Sequence, residues 1–215
     1  MKEKVLNVVR NNKRWCLLFI CLIIFIVLLE NIFDNEIDIF DTTIYNTISL
    51  VKTDVTTNIL KIITQFGSAK ILIFIALISL IVIKNKKIGT VISLNLAIVG
   101  LLNYVLKAII QRPRPEGFRI VEETGYSFPS GHSMASMAFY GLIIYLIFKN
   151  VKNKVTKITI CTILSLLIIG IGISRIYLGV HYASDVIAGF VLSIAYLVVY
   201  ITIVFKLLGI SDKKI

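Results

Sequence analysis

The chain has 215 residues, 57% of them hydrophobic and only 16% charged, with a formal net charge of +11. A soluble domain of this size has too little interior to hide that much apolar surface, so the composition points to lipid as the solvent. The basic excess reads as membrane topology, because nucleic-acid binding would want a soluble basic domain with aromatic platforms, and none is visible.

The first predicted element is an apolar run at 15–33 containing WCLLFICLIIFIVLL. The basic segment MKEKVLNVVRNNKRW leads into it and ENIFDNE follows, with no small-residue cleavage pattern, so it reads as an uncleaved signal-anchor helix. In 42–66, Ile44, Ile48, Val51, Val55, Ile59 and Ile62 recur every three or four residues with Lys52, Asp54 and Lys61 between them. This pattern is not a span. It predicts one or two amphipathic helices on the outer surface or, equally, a short helical hairpin packed on the bundle.

Further spans are predicted at 69–84, 88–109, 131–148, 156–175 and 183–206, several of them near or below the ~20 residues needed to cross hydrocarbon. The runs do not alternate, which excludes a transmembrane barrel, and they lack the internal similarity of an inverted-repeat transporter. Cys16, Cys21 and Cys161 lie within apolar runs, with no CxxC or Cys/His metal spacing, so neither a disulfide framework nor a metal site is expected. The fold class expected is all-α: a polytopic membrane protein whose six transmembrane helices form one bundle over residues 1–215.

Loop charge sets the expected orientation. Lys2, Lys4, Arg10, Lys13 and Arg14 precede the first span. Lys84, Lys86 and Lys87 lie between the second and third, and Lys149, Lys152, Lys154 and Lys157 between the fourth and fifth. Lys206, Lys213 and Lys214 close the chain. All fall on one side, with only Glu3 and Asp212 as acids there. That side, with both termini, is expected to be cytoplasmic at the plasma membrane.

The basic residues left over are Lys52, Lys61, Lys70, Lys107, Arg112, Arg114, Arg119 and Arg175, including four of the chain's six arginines. The cytoplasmic anchors are mostly Lys, where a point charge suffices. Arg is concentrated where a planar, bidentate fork would matter, which suggests an oxyanion such as phosphate. Lys107, Arg114, Arg175, Asp185 and the chain's two histidines, His132 and His181, all fall at the outer ends of the third to sixth spans. Taken singly, each has an ordinary reading: a snorkelling anchor, a helix cap, an i,i+4 pair. Six ionisable groups at one depth instead point to a single pocket, because such groups facing hydrocarbon are costly.

The pattern Lys107-x6-Arg114-Pro115, then Pro129-Ser130-Gly131-His132, then Ser174-Arg175-x5-His181-x3-Asp185 resembles the three signature motifs of the type 2 phosphatidic acid phosphatase superfamily. All three are present in order across 107–185, the catalytic motif region. A lone PSGH would be weak, but the three together are highly specific. That superfamily includes bacterial phosphatidylglycerophosphate and undecaprenyl-diphosphate phosphatases and vanadium haloperoxidases. The resemblance implies a membrane lipid phosphatase in which His181 is the nucleophile, Asp185 orients it, and His132 is general acid and then base. It further implies that Lys107, Arg114 and Arg175 hold the phosphate oxygens, with Ser130 and Gly131 adding a hydroxyl and amides at a helix start.

No cofactor or metal is called for, and the partners expected are a lipid phosphate or diphosphate and the membrane itself, with no nucleic acid and no obligate protein partner. Arg112 and Arg119 lie outside the motifs and have two open readings, substrate clamps or loop decoration. Tyr126 and Phe128 suit a lipid interface or an ordinary aromatic belt. Haloperoxidase chemistry is disfavoured because those enzymes are soluble. Transfer to an acceptor lipid stays open, as does a transporter or scaffold with an inert site, although a transporter would place its binding groups near mid-membrane.

Overall fold

A computed structural model of the chain describes residues 12–34 and 36–209. These form eight helices: α1 (Lys13–Phe33), α2 (Asp38–Ser49), α3 (Asp54–Gln65), α4 (Ala69–Val82), α5 (Lys86–Ile110), α6 (Gly131–Asn150), α7 (Lys154–Tyr177) and α8 (Ala183–Leu207). No strand occurs among the described residues. The termini of the charge argument, Lys2, Lys4, Arg10, Lys213 and Lys214, lie outside them.

Helix starts follow local chemistry. Thr53 and Thr56 form a reciprocal capping box at α3. Ser68, Asn85, Ser130 and Asn153 each cap the helix that follows with a side-chain oxygen. The end of α5 is sharper. Gln111 adopts a left-handed φ of 52°, its N–H bonds back to the Lys107 carbonyl, and the chain turns out of the helix into 112–130.

Five helices, α1, α5, α6, α7 and α8, are long and apolar enough to cross a membrane. The second predicted span is different. At 14 residues, α4 reaches only about 21 Å, short of a ~30 Å hydrocarbon core. It joins α3 across a 44° bend, and the pair together meets the length and composition of a sixth, broken span. The 42–66 segment is therefore two helices. α3 packs along α7, and α2 packs against α7 and α8. Tyr177 at the end of α7 fastens this hairpin, its hydroxyl 2.8 Å from both Thr56 and Thr57.

The central core gathers Leu72, Val91, Phe139, Leu142 and Ile171 from four helices. The apolar outer surfaces are left bare, as on α1, where Phe19 and Ile23 are each 61% exposed. Water cannot drive such helices together in lipid, so polar ties matter. Asn95 donates to the Ala138 carbonyl at 2.9 Å, Ser193 to Met134 at 3.0 Å and Tyr200 to Val91 at 2.6 Å. At one end of the bundle, Lys87 donates to the Leu208 carbonyl at 2.8 Å, joining the α4–α5 turn to the end of α8. At the other end lie the C-termini of α5 and α7 and the N-termini of α6 and α8.

Candidate active site

The loop 111–130 crosses that second end and is pinned to the α7–α8 turn. Ile120 N–H donates to the Leu178 carbonyl at 2.9 Å, and Ser130 N–H to the Asp185 carbonyl at 3.1 Å. Gly179 makes the contact possible. Its φ is 72°, and a Cβ there would sit 2.6 Å from the Phe118 carbonyl oxygen. Phe128 is fully buried against Phe25, with ring centroids 5.7 Å apart, so it belongs to the core and not to a lipid-facing belt.

His181 and Asp185 are both buried, one turn apart across the start of α8, with His181 Nδ1 3.3 Å from Asp185 Oδ2. Arg114 Nη1 lies 3.2 Å from His181 Nε2. A guanidinium can only donate, so Nε2 carries the lone pair and Nδ1 carries the proton that faces Asp185. Burial lowers the His181 pKa to about 4, Arg175 and Arg114 push the same way, and Asp185 opposes them. The imidazole is therefore neutral at pH 7, with its lone pair on the side where the cations gather and engaged there by Arg114.

Those cations are held by different partners. Arg175, 2% exposed at the end of α7, donates to Thr64 Oγ1 at 2.9 Å and to Glu123 Oε1 at 2.5 Å. Among the described residues its Nε–H has no acceptor. Arg114 spends its other hydrogens on the Gly125, Thr124 and Val180 carbonyls, and its Nη2 is 4.0 Å from Glu123 Oε2. Burial works to raise the Glu123 carboxyl pKa, but Arg175 and then Arg114 outweigh it and hold the group below its ordinary value. Glu123 thus sits as an anion between two guanidiniums beside His181, the seat that a phosphate oxygen would need.

Lys107, in the last turn of α5, directs Nζ at the carbonyls of Tyr126 and Ser127. His132 lies in the first turn of α6, where it feels the charges of Arg175, His181, Arg114 and Lys107. It lines two cavities. One, of about 560 Å³, is polar, with Lys61, Lys70, Glu123 and Arg175 in its wall. The other, of about 600 Å³, is apolar and runs between α4 and α5 past Ile73, Leu77 and Leu96. Ser130 is fully buried and engaged as the α6 cap: its Oγ accepts from the Ser133 N–H at 3.4 Å and the Ser133 hydroxyl at 3.0 Å. At Gly131 a Cβ would come within 3.0 Å of Asn103 Oδ1, so the missing side chain makes room for Asn103. The Gly131 and His132 amides, first in the helix, have no intrahelical acceptor.

All the site residues expected from sequence thus lie at one end of the bundle. His181, Asp185, Arg114 and Arg175 form a tight group, with His132 across the cavity and Lys107 behind the loop. Four further residues complete the group. Ser127, Glu123, Thr64 and Asp41 bind the named cations or Asp185, and no motif marks them.

Arg112 is held by two carboxylates and a hydroxyl within the protein. Its Nη1 donates to Asp185 Oδ1 at 2.6 Å and Ser184 Oγ at 2.8 Å, and its Nη2 to Asp41 Oδ2 at 2.8 Å. Burial alone would weaken its hold on its proton, but Asp185 and Asp41 more than restore it. Arg119 only closes the loop on itself, donating to the Pro115 carbonyl at 2.6 Å. Among the described residues no three carboxylates, imidazoles or thiols gather as metal ligands.

The PAP2 superfamily matches residues 89–208. Phosphatidylglycerophosphatase B of Bacillus subtilis (strain 168) is 31% identical over 174 residues, covering 79% of this chain and 86% of that protein. An undecaprenyl-diphosphatase of Sulfolobus acidocaldarius is 29% identical over 185 residues, 82% of each. The crystal structure of a transmembrane PAP2-type phosphatidylglycerolphosphate phosphatase from Bacillus subtilis superposes with a TM-score of 0.80 at 29% identity, over 88% of this chain and 96% of that one. The Aquifex aeolicus LpxE structure shares the fold, with a TM-score of 0.61 at 22% identity over 75% and 94%. With the three motifs, the helical bundle and the shared span, the chain belongs to the PAP2 superfamily of phosphatases.

Proposed function

We propose that the protein is an integral membrane lipid phosphatase that works through a phosphohistidine on His181. One observation carries the reading: the two nitrogens of His181 face opposite groups, Nδ1 toward Asp185 and Nε2 toward the cation cluster. A phosphate entering that cluster takes over Arg175 from Glu123 and Arg114 from Nε2, which frees the lone pair to attack phosphorus. The P–O bond to the lipid breaks as the P–N bond forms, and His132, which takes up a proton only when the bound phosphate dianion offsets the cations around it, gives that proton to the leaving oxygen. His132 then takes a proton from water, water attacks phosphorus, the P–N bond breaks, and inorganic phosphate leaves. Arg175, Arg114 and Lys107, with the first amides of α6, balance charge on the non-bridging oxygens. Asp185 holds the Nδ1 proton and offsets the positive charge that His181 gains.

The cations in this scheme are side chains, so the reaction is expected to need no metal. The relatives' names and the apolar cavity beside His132 support a lipid phosphate or diphosphate, with phosphatidylglycerophosphate, undecaprenyl diphosphate and phosphatidic acid as candidates. The Lys-rich opposite end supports cytoplasmic termini and a site that faces outward.

The test is phosphate release by detergent-purified protein from those three lipids, with His181→Ala beside it and with excess EDTA. The expected result is turnover of at least one lipid that survives EDTA and disappears in His181→Ala. Equal rates in wild type and His181→Ala would remove the phosphohistidine, and loss in EDTA restored by Mg²⁺ would remove metal independence. Activity toward added lipid in right-side-out vesicles, and its absence in inside-out ones, is expected for the outward site.

A further inference from the structure

We infer that Arg112 and Asp41 are positioning residues for the reaction, a buried cation–anion pair that sets how strongly Asp185 holds His181. The inference rests on the proposed role of His181.

Asp41, 3% exposed, comes from α2, outside the three motifs. Its Oδ1 accepts the Ser184 N–H at 2.8 Å, and its Oδ2 accepts the Ser184 hydroxyl at 2.7 Å and Arg112 Nη2 at 2.8 Å. Asp41 therefore caps the start of α8 from a distant helix. If capping were its whole role, the chain would end there. Instead Arg112, 8% exposed, carries it on, with its other Nη on Asp185 Oδ1 at 2.6 Å. The Tyr182 ring lies 4.0 Å from the guanidinium carbon and covers its face.

Asp185 thus divides its two oxygens. Oδ1 belongs to Arg112, while Oδ2 takes the Tyr182 N–H at 2.9 Å, the Ser127 hydroxyl and His181 Nδ1. A carboxylate that shares its charge with a cation is a weaker acceptor for an imidazole. Arg112 draws charge away from His181, and Asp41, by neutralising part of Arg112, gives some back. Removing one or the other therefore moves His181 in opposite directions. The remaining charges that face His181 and Asp185 are Arg114 from the loop, Arg175 from α7, Glu123 from the loop, Lys107 from α5 and His132 from α6. None of them changes in the variants below.

The experiment compares phosphate release from phosphatidylglycerophosphate across pH for wild type, His181→Ala, Asp41→Asn, Arg112→Gln and Arg112→Lys, with thermal unfolding of each. Asp41→Asn leaves Arg112 to act on Asp185 alone, so the acid limb of kcat/KM moves to lower pH. Arg112→Gln removes the cation, so the limb moves to higher pH. Each loses about ten-fold in kcat, the scale of outer partners to a reactive group, with KM within about two-fold of wild type. Arg112→Lys keeps the charge but not the fork, so it keeps the wild-type limb and recovers part of kcat. If one neutralising variant does not fold, the other still gives the sign, with Arg112→Lys as the charge-keeping control. Folded Asp41→Asn or Arg112→Gln protein that keeps the wild-type limb, or that loses activity only in proportion to lost folded protein, overturns the positioning role. An active His181→Ala overturns instead the reading on which it rests.

Discussion

The two ends of the bundle carry positive charge in opposite ways. At the α4–α5 and α6–α7 turns the cations are lysines, and Lys84, Lys152 and Lys154 stand exposed. At the other end Arg112, Arg114 and Arg175 are 8%, 9% and 2% exposed, and each forks onto named carboxylates, carbonyls or hydroxyls. An exposed ammonium keeps its water and can sit in many positions, which suffices to mark a membrane side. A buried guanidinium has given up its water, and its partners fix its place. Positive charge is thus solvated at one end and fixed by protein partners at the other.

The sharpest way to break this contrast is at the reacting groups. Replacing His181 with alanine is expected to bring phosphate release below detection, and His132→Ala to lower kcat by about 10²–10⁴-fold, measured in steady-state assays of detergent-purified protein. Arg175→Lys keeps the charge but loses the fork to Thr64 and Glu123, and a fall in kcat of about 10²–10³-fold is expected. A variant within two-fold of wild type would show that point charge alone is enough at this end too.

The state of His181 gives a finer test. Below its pKa, the protonated imidazole has no lone pair, so kcat/KM should fall as pH drops through about 4, not through the 6.5 of an unperturbed histidine. The chain has only two histidines, so side-chain-labelled protein gives two imidazole titrations, and His132→Gln identifies the one that remains. A His181 midpoint near 6.5 would contradict the burial and cation field described above.

A smaller effect is expected at Glu123. Glu123→Gln leaves Arg175 and Arg114 without their internal anion, and inhibition by orthovanadate should tighten by roughly ten-fold, close to one charge-assisted hydrogen bond. Unchanged inhibition would mean that vanadate and Glu123 do not compete. Smallest of all, Lys152→Gln and Lys154→Gln should leave turnover unchanged and stability within about 0.5 kcal/mol in thermal unfolding.

Much of this was legible in the sequence because it is local or periodic. Apolar runs gave the long helices to within a few residues, and motif residues at helix ends gave His181, Asp185, Arg114 and Arg175 as neighbours. What escaped is non-local. Asp41 meets Ser184 across 143 positions, and Thr64 meets Arg175 across 111, with no spacing rule to join them. Arg112, two residues before a motif arginine, could be noticed but not assigned, since its partners lie on α2 and α8. Ser130 shows a second duty that its place in the motif does not announce. Its hydroxyl oxygen accepts as the cap of α6. The second span, read at 69–84, appears as the 14-residue α4, one half of a broken span. Only packing shows that the amphipathic segment before it continues the same path at an angle.

His132 stands where a polar chamber and a greasy one meet. In the proposed reaction, hydrolysis on that boundary would yield two products of opposite solubility, free phosphate and a dephosphorylated lipid. Each would be born on the side where it dissolves, and neither would have to pass through the other's medium to depart.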